Sequence, residues 1–144
     1  MIFSIADHIE QIKNGTKTQT RRPTDRYKTG KLYAVQPGRC KKGIPEGKVY
    51  IGEKWKEWKP DVSDFPVNSF ARKWQEMEAG YPIKDYQAEA EGGYSSLEYE
   101  ELYETMYPDW KERWVYRFHF FTVNDIIECG ETTRVSQQLR KNDP

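Results

Sequence analysis

The sequence predicts an α+β fold, a small barrel or curled sheet with about three helices at its periphery. Three observations predict it. Runs of period-two alternation recur along the chain, the longest being the aromatic-rich run over residues 113–123. Three segments place apolar residues three and four apart, the spacing of one helix face. These helical segments are inserted unevenly among the strands, which argues against a regular strand–helix alternation and its parallel sheet.

Residues 1–4 read as a short strand or lead-in. Ile5, Ile9 and Ile12 then mark the first helix, with Ser4 as its candidate cap, Asp7 in its first turn and Asn14-Gly15 as its left-handed stop. His8 falls on the polar side of this helix, near Glu10. The run from Lys17 to Arg22 turns to strand-like alternation and is ended by Pro23, which biases Arg22 toward extended backbone. After a turn at Lys28-Thr29-Gly30, residues 31–36 read as a short strand with Leu32 and Ala34 on one side and Tyr33 and Val35 on the other. Residues 37–47 combine Gly, Pro and the cations Arg39, Lys41 and Lys42, a basic loop.

Residues 49–58 read as a further strand carrying Tyr50, Ile51, Trp55 and Trp58. Phe70, Trp74 and Met77 mark the apolar face of a second helix over 68–79, stopped by Gly80-Tyr81-Pro82. Residues 87–91 read as a short helical turn before Gly92-Gly93. Ser95 or Ser96 caps a third helix with Leu102 and Met106 as its apolar positions and Tyr107-Pro108 as its stop. The run 113–123 sets Trp114, Tyr116, Phe118 and Phe120 against Val115, Arg117, His119 and Phe121, which predicts a central strand. Beyond Asn124 the chain grows polar, and 137–144 reads as a frayed tail. The expected organisation is one domain over 1–123, with a bulky segment at 55–86, and an extension over 124–144.

A chain of 144 residues suits one core and one site. Aromatic residues make up 15% of it, enough to pack a core despite the high polarity, so disorder is not expected. No apolar run approaches the roughly 20 residues that span a bilayer, and no basic, signal-like head precedes the first helix, so the expected location is cytoplasmic, with no membrane partner. Cys40 and Cys129 lack metal-ligand spacing and read as reduced thiols; no metal and no cofactor is expected. Net charge is zero, which disfavours holding duplex nucleic acid by charge alone. Its distribution is uneven: Lys and Arg exceed Asp and Glu by eight over 1–59 and fall short by eight over 60–144. Either the halves neutralise each other across the fold or one face is basic.

The chemistry-bearing segment is 15–23, where Gly15 is followed by Lys17, Thr18, Thr20, Arg21 and Arg22. This run, from Ile12 to Pro23, closely resembles the G-x-K-x-x-T-x-R signature of ASCH domains, named for activating signal cointegrator homology. Three further segments sit where that family has them: Tyr27 to Lys31 before a strand, Ala88 to Tyr94 before a helix, and Trp114 to Phe121 as a late strand. The resemblance implies a PUA-like β-barrel and an association with RNA and modified nucleosides. Some bacterial ASCH proteins are amidohydrolases that deacylate N4-acetylcytidine with a Lys, a Thr and a Glu. Matched onto this chain those roles fall on Lys17, Thr20 and Glu91, with Glu89 competing for the third.

A threonine hydroxyl attacks a carbonyl only when a base takes its proton, and a lysine is that base only when burial or neighbouring cations such as Arg21, Arg22 and Lys13 make it partly neutral. On a regular strand Lys17 and Thr20 face opposite sides, so they meet only if Lys17 belongs to the turn after Gly15. A carboxylate at Glu91 favours the charged lysine and is better suited to handling a proton or the leaving amine. Arg22, sharing parity with Thr18 and Thr20, is placed in the same cleft. The substrate or nucleic-acid contacts are then Gly15, Thr18, Arg21, Arg22, Arg39, Lys41, Lys42 and Tyr94, with Tyr33, Trp55 and Trp58 as further stacking candidates. Three functions stay open: the amidohydrolase, a noncatalytic module binding single-stranded RNA, and a ribonuclease in the same basic cleft. The plain alternative is that 17–22 is a solvated edge strand and Glu89 and Glu91 are helix-end charges.

Overall fold

A computed structural model describes residues 1–60, 65, 66 and 68–129. The chain runs α1 (Ala6–Asn14), β1 (Gln19–Arg22), β2 (Leu32–Ala34), β3 (Gly47–Trp58), α2 (Phe70–Ala79), α3 (Asp85–Gly92), α4 (Ser96–Met106), β4 (Glu112–Thr122), α5 (Val123–Cys129). The strands form one antiparallel sheet in the order β1-β4-β3-β2, curled into a half-barrel. The β3–β4 ladder, from Gly47 opposite Thr122 to Trp58 opposite Glu112, is its spine, with a register shift between Ile51 and Glu53. β4 is central, as its aromatic alternation predicts, because both of its edges are paired.

Two cores form on this frame. One is apolar, built of Met1, Phe3, Ile12, Val35, Val49, Ile51, Tyr116 and Phe118. The other is mostly aromatic, with Ile83, Ala88, Tyr99, Tyr103 and Trp110 contributed largely by α3 and α4. The cleft described below opens between α1, β1 and α4.

Several local expectations are corrected. The N-cap of α1 is Ile5, in extended backbone with no side-chain cap, and Ser4 is exposed. Gly15 does stop α1, at φ 84°, with its N–H on the Ile12 carbonyl. In α2 the face marked by Phe70, Trp74 and Met77 is exposed, and the buried residue is Ala79. Spacing shows that residues share a side of a helix, not that the side meets a core. Residues 87–91 belong to a full helix, α3, whose buried residues are Ala88 and Glu91; two such positions are too few and too polar for apolar periodicity to register. Ser95 caps α4 in a reciprocal box with Glu98, but the buried residues are Tyr99, Glu100 and Tyr103, while Met106 is exposed. α5 continues directly from β4, with Thr122 and Asp125 exchanging hydrogen bonds at the junction, so the expected boundary at 124 falls inside a helix. Five helices are therefore seen among the described residues where three were expected. The expected tail, 137–144, lies outside the described residues. Among the described residues no helix is long and apolar enough to cross a membrane.

Candidate functional site

The turn between α1 and β1 builds the site. Past Gly15, the Lys17 N–H returns to the Gln11 carbonyl at 3.0 Å, so Lys17 sits in the turn and the strand begins only at Gln19. That removes the parity conflict, and Lys17 and Thr20 line one cleft. The end of α3 is stitched to the same turn by three successive carbonyls. Ala90 accepts from the Thr18 N–H at 3.0 Å, Glu91 from Lys17 Nζ at 2.6 Å, and Gly92 from Gln11 Nε2 at 2.9 Å. These bonds bring Glu91 beside Lys17 although the two are distant in sequence.

Lys17 is buried, and its Nζ also donates to the Gln19 carbonyl at 2.8 Å. Burial is the main reason its pKa falls from 10.5 to about 8; Glu91 opposes the fall, and Arg22 and Arg21 add to it. Lys13 has no part in this, being paired with Glu10 and Glu46. Glu91 is 0% exposed, with Arg21 Nη1 at 3.4 Å from its Oε2, and neither carboxylate oxygen has hydrogen-bond geometry to a described donor. Glu89 is exposed, so of the two acidic candidates only Glu91 stands beside the lysine.

The cleft holds about 80 Å³. One wall is Ile2, Phe3, Ser4, Ile5 and His8; Lys17, Thr20, Arg21 and Arg22 form the base; Tyr99, Leu102, Met106 and Tyr107 close the other side. Arg22 donates from Nη2 to the Ile2 carbonyl at 2.6 Å and lies over the Phe3 ring, while its Nε has no hydrogen-bond partner among the described residues. Arg21 is placed differently. Its Nε and Nη2 fork onto Glu57 at 2.9 and 3.0 Å, so its guanidinium is already engaged inside the protein.

His8 is the residue that sequence reasoning misplaced: it is buried and lines the cleft. The signal was present, because it stands three residues after Ile5 and four before Ile12, on their side of the helix. Its ring Nε2 is 2.8 Å from the Tyr94 hydroxyl. Burial first, then the Lys17 charge, lower its pKa to about 4, so the imidazole is neutral at pH 7. Tyr94 is not itself in the cleft lining and meets it through His8 and the Tyr99 ring. Gly15 and Thr18 act through their backbones, and the exposed cations Arg39, Lys41 and Lys42 are not among the cleft-lining residues. Of the stacking candidates, Tyr33 packs on the apolar core, Trp55 lies under Arg117 and Trp58 is exposed.

Tyr99 and the Glu57 network were not legible as site residues. Burial and the Glu91 charge push the Tyr99 phenol well above its usual range, so it is a neutral donor at the back of the cleft. Among the described residues no group of three His, Cys, Asp or Glu side chains is arranged to hold a metal ion.

Comparison with protein-family models, curated proteins and solved structures gives no match. What the fold and the geometry define is an α+β half-barrel with a small cationic cleft lined by a lysine and a threonine, while the Glu91 carboxylate lies buried beside Arg21, outside the cleft lining.

Proposed function

We propose that this chain is an ASCH-type, PUA-like domain that binds a modified nucleoside and deacylates N4-acetylcytidine-like substrates. One observation carries the reading. A neutral lysine has two N–H bonds and one lone pair, and Lys17 Nζ has two carbonyl acceptors, Gln19 and Glu91. With both N–H bonds so engaged, the lone pair remains for the cleft that Thr20 also lines, the arrangement a general base requires.

In this reading Thr20 Oγ attacks the acyl carbonyl while Lys17 takes its proton. The C–N bond breaks, the cytosine amine leaves with a proton returned from Lys17, and water hydrolyses the threonyl ester; the Glu91 charge favours the protonated lysine while it carries that proton. At pH 7 a pKa of about 8 leaves roughly a tenth of Lys17 neutral, against fewer than one in a thousand for an ordinary lysine. The cleft lining mixes apolar and cationic side chains, which suits an acyl group beside a polar base edge. The engagement of Arg21 with Glu57, and the absence of Arg39, Lys41 and Lys42 from the cleft lining, disfavour a strand held there by phosphate contacts.

The test is hydrolysis of N4-acetylcytidine by wild type, Lys17→Ala and Thr20→Ala. Each substitution is expected to lower kcat by about 10²–10⁴, and the wild-type rate to rise with pH through about 8. No hydrolysis by wild type ends the enzymatic reading. Salt-sensitive binding of single-stranded RNA that weakens in Arg22→Ala then supports the noncatalytic module, and new RNA ends support the ribonuclease.

A further inference from the structure

As a basic residue in the signature run, Arg21 has the chemistry of a phosphate contact, but its surroundings assign it another task. Its side chain is 0% exposed. The fork of Nε and Nη2 on the Glu57 carboxylate fixes the plane of the guanidinium, and this leaves Nη1 3.4 Å from Glu91 Oε2, an ion pair without hydrogen-bond alignment. Glu57 is held in turn: its Oε1 also accepts from Arg113 Nε at 3.0 Å, and Arg113 forks onto Glu100 at 2.8 and 3.3 Å. Glu57 and Arg113 stand opposite each other in the β3–β4 ladder, so this chain of charges is anchored on two paired strands.

We propose that Arg21 is a positioning residue, a rigid link through which the buried Glu57–Arg113–Glu100 chain sets where the Glu91 carboxylate stands relative to Lys17. Apolar side chains of similar volume stabilise a core as well as a buried ion cluster does, so the cluster is weakly explained by stability alone. What it supplies is direction: the Glu91 carboxylate has the Arg21 guanidinium as its ion-pair partner, with the Tyr99 phenol as the second group against it. The catalytic meaning of the link rests on the deacylase reading; the link itself does not.

The charged or titratable groups acting on Lys17 are Glu91 from α3, Arg21 and Arg22 from β1, and the neutral His8 from α1. Glu57 is forked by Arg21, so the proposed route for a response of Lys17 to a change at Glu57 runs through Arg21, which the Arg21→Gln background tests. The experiment follows Lys17 by NMR of its side-chain carbon and nitrogen as pH is raised, in wild type, Glu57→Gln and Glu57→Asp. Glu57→Gln frees positive charge on Arg21 to lean toward Glu91, and the Lys17 midpoint is expected to fall by about half a pH unit or more. Glu57→Asp keeps the charge but is one methylene shorter; it draws Arg21 away from Glu91, and the midpoint is expected to rise. In an Arg21→Gln background neither change moves it further.

With N4-acetylcytidine, Glu57→Asp is expected to lower kcat about tenfold with KM within about twofold, the pattern of lost positioning, not lost binding. Unshifted midpoints in whichever Glu57 variant retains its near-UV circular dichroism, or shifts that persist without Arg21, overturn the proposal. The titration needs no substrate, so a wild type inactive on the acylated nucleoside defeats the deacylase reading and leaves the link to be decided by NMR.

Discussion

At one end of the β3–β4 ladder Val49 faces Phe120 and Ile51 faces Phe118, and the strands close over Met1, Phe3 and Ile12. At the other end Glu57 faces Arg113, and the Arg113 guanidinium lies 4.4 Å from the Trp110 ring centre and 5.0 Å from that of Tyr103. The same two strands thus carry an apolar core and a charged one. The apolar end is stabilised by area removed from water, which is non-directional and forgiving of small changes. The charged end costs desolvation and returns it only while every partner is present, but it holds its groups in fixed directions. The cleft borrows from both, taking Phe3 from the first and Arg21 from the second.

The largest expected effect breaks the charged end. Arg113→Ala leaves Glu57 short of one donor and Glu100 without its fork, both in buried positions. A loss of about 3–5 kcal/mol is expected in denaturant unfolding, against about 0.5–1.5 kcal/mol for Ile51→Val in the apolar end. Equal, small losses would mean that the ion cluster is hydrated or loosely held, and the contrast between the ends would collapse.

The next effect is smaller and depends on pH. Lys17 titrates at about 8 when folded and near 10.5 when unfolded, so between those values the unfolded chain binds more protons. Stability therefore rises as pH climbs from about 8 toward 10.5, by at most about 3 kcal/mol, and Lys17 contributes no slope below that window. Tyrosines whose protons are held by the fold, Tyr99 and Tyr103 among them, oppose the rise above pH 10. The quantity to measure is therefore the difference between wild type and Lys17→Met over pH 8–10. A flat difference would place Lys17 in water, outside the cleft.

These contrasts bear on what could be read from residues alone. The curled sheet and the central place of β4 were legible because its alternating aromatic residues mark one continuous inward face, on which Tyr116 and Phe118 are buried. The turn after Gly15 was legible because a helix stop and strand parity together left Lys17 one place from which to meet Thr20. The charged core was not. Periodicity counts apolar residues, so nothing in it singles out Glu57, Glu100 and Arg113, although each is buried. His8 was misplaced although its spacing from Ile5 and Ile12 puts it on their side of α1, and the spacing of Phe70, Trp74 and Met77 could not show that their face of α2 meets no core. Glu91 became identifiable over Glu89 only once the carbonyls at the end of α3 were seen bonded to the signature turn.

The smallest expected effect separates burial from charge as the cause of the contrast. Lys56 and Glu112 form a 2.9 Å ion pair at the same end of the ladder as Glu57 and Arg113, but their side chains are 45% and 54% exposed. In water the Coulomb gain is screened, and losing one partner strands no buried charge. Lys56→Met is therefore expected to change stability by less than about 1 kcal/mol and to become silent in high salt. A cost approaching that of Arg113→Ala would show that the charged end depends on its summed charge, in which case the fork geometry at Glu57 would lose its claim to direct Arg21.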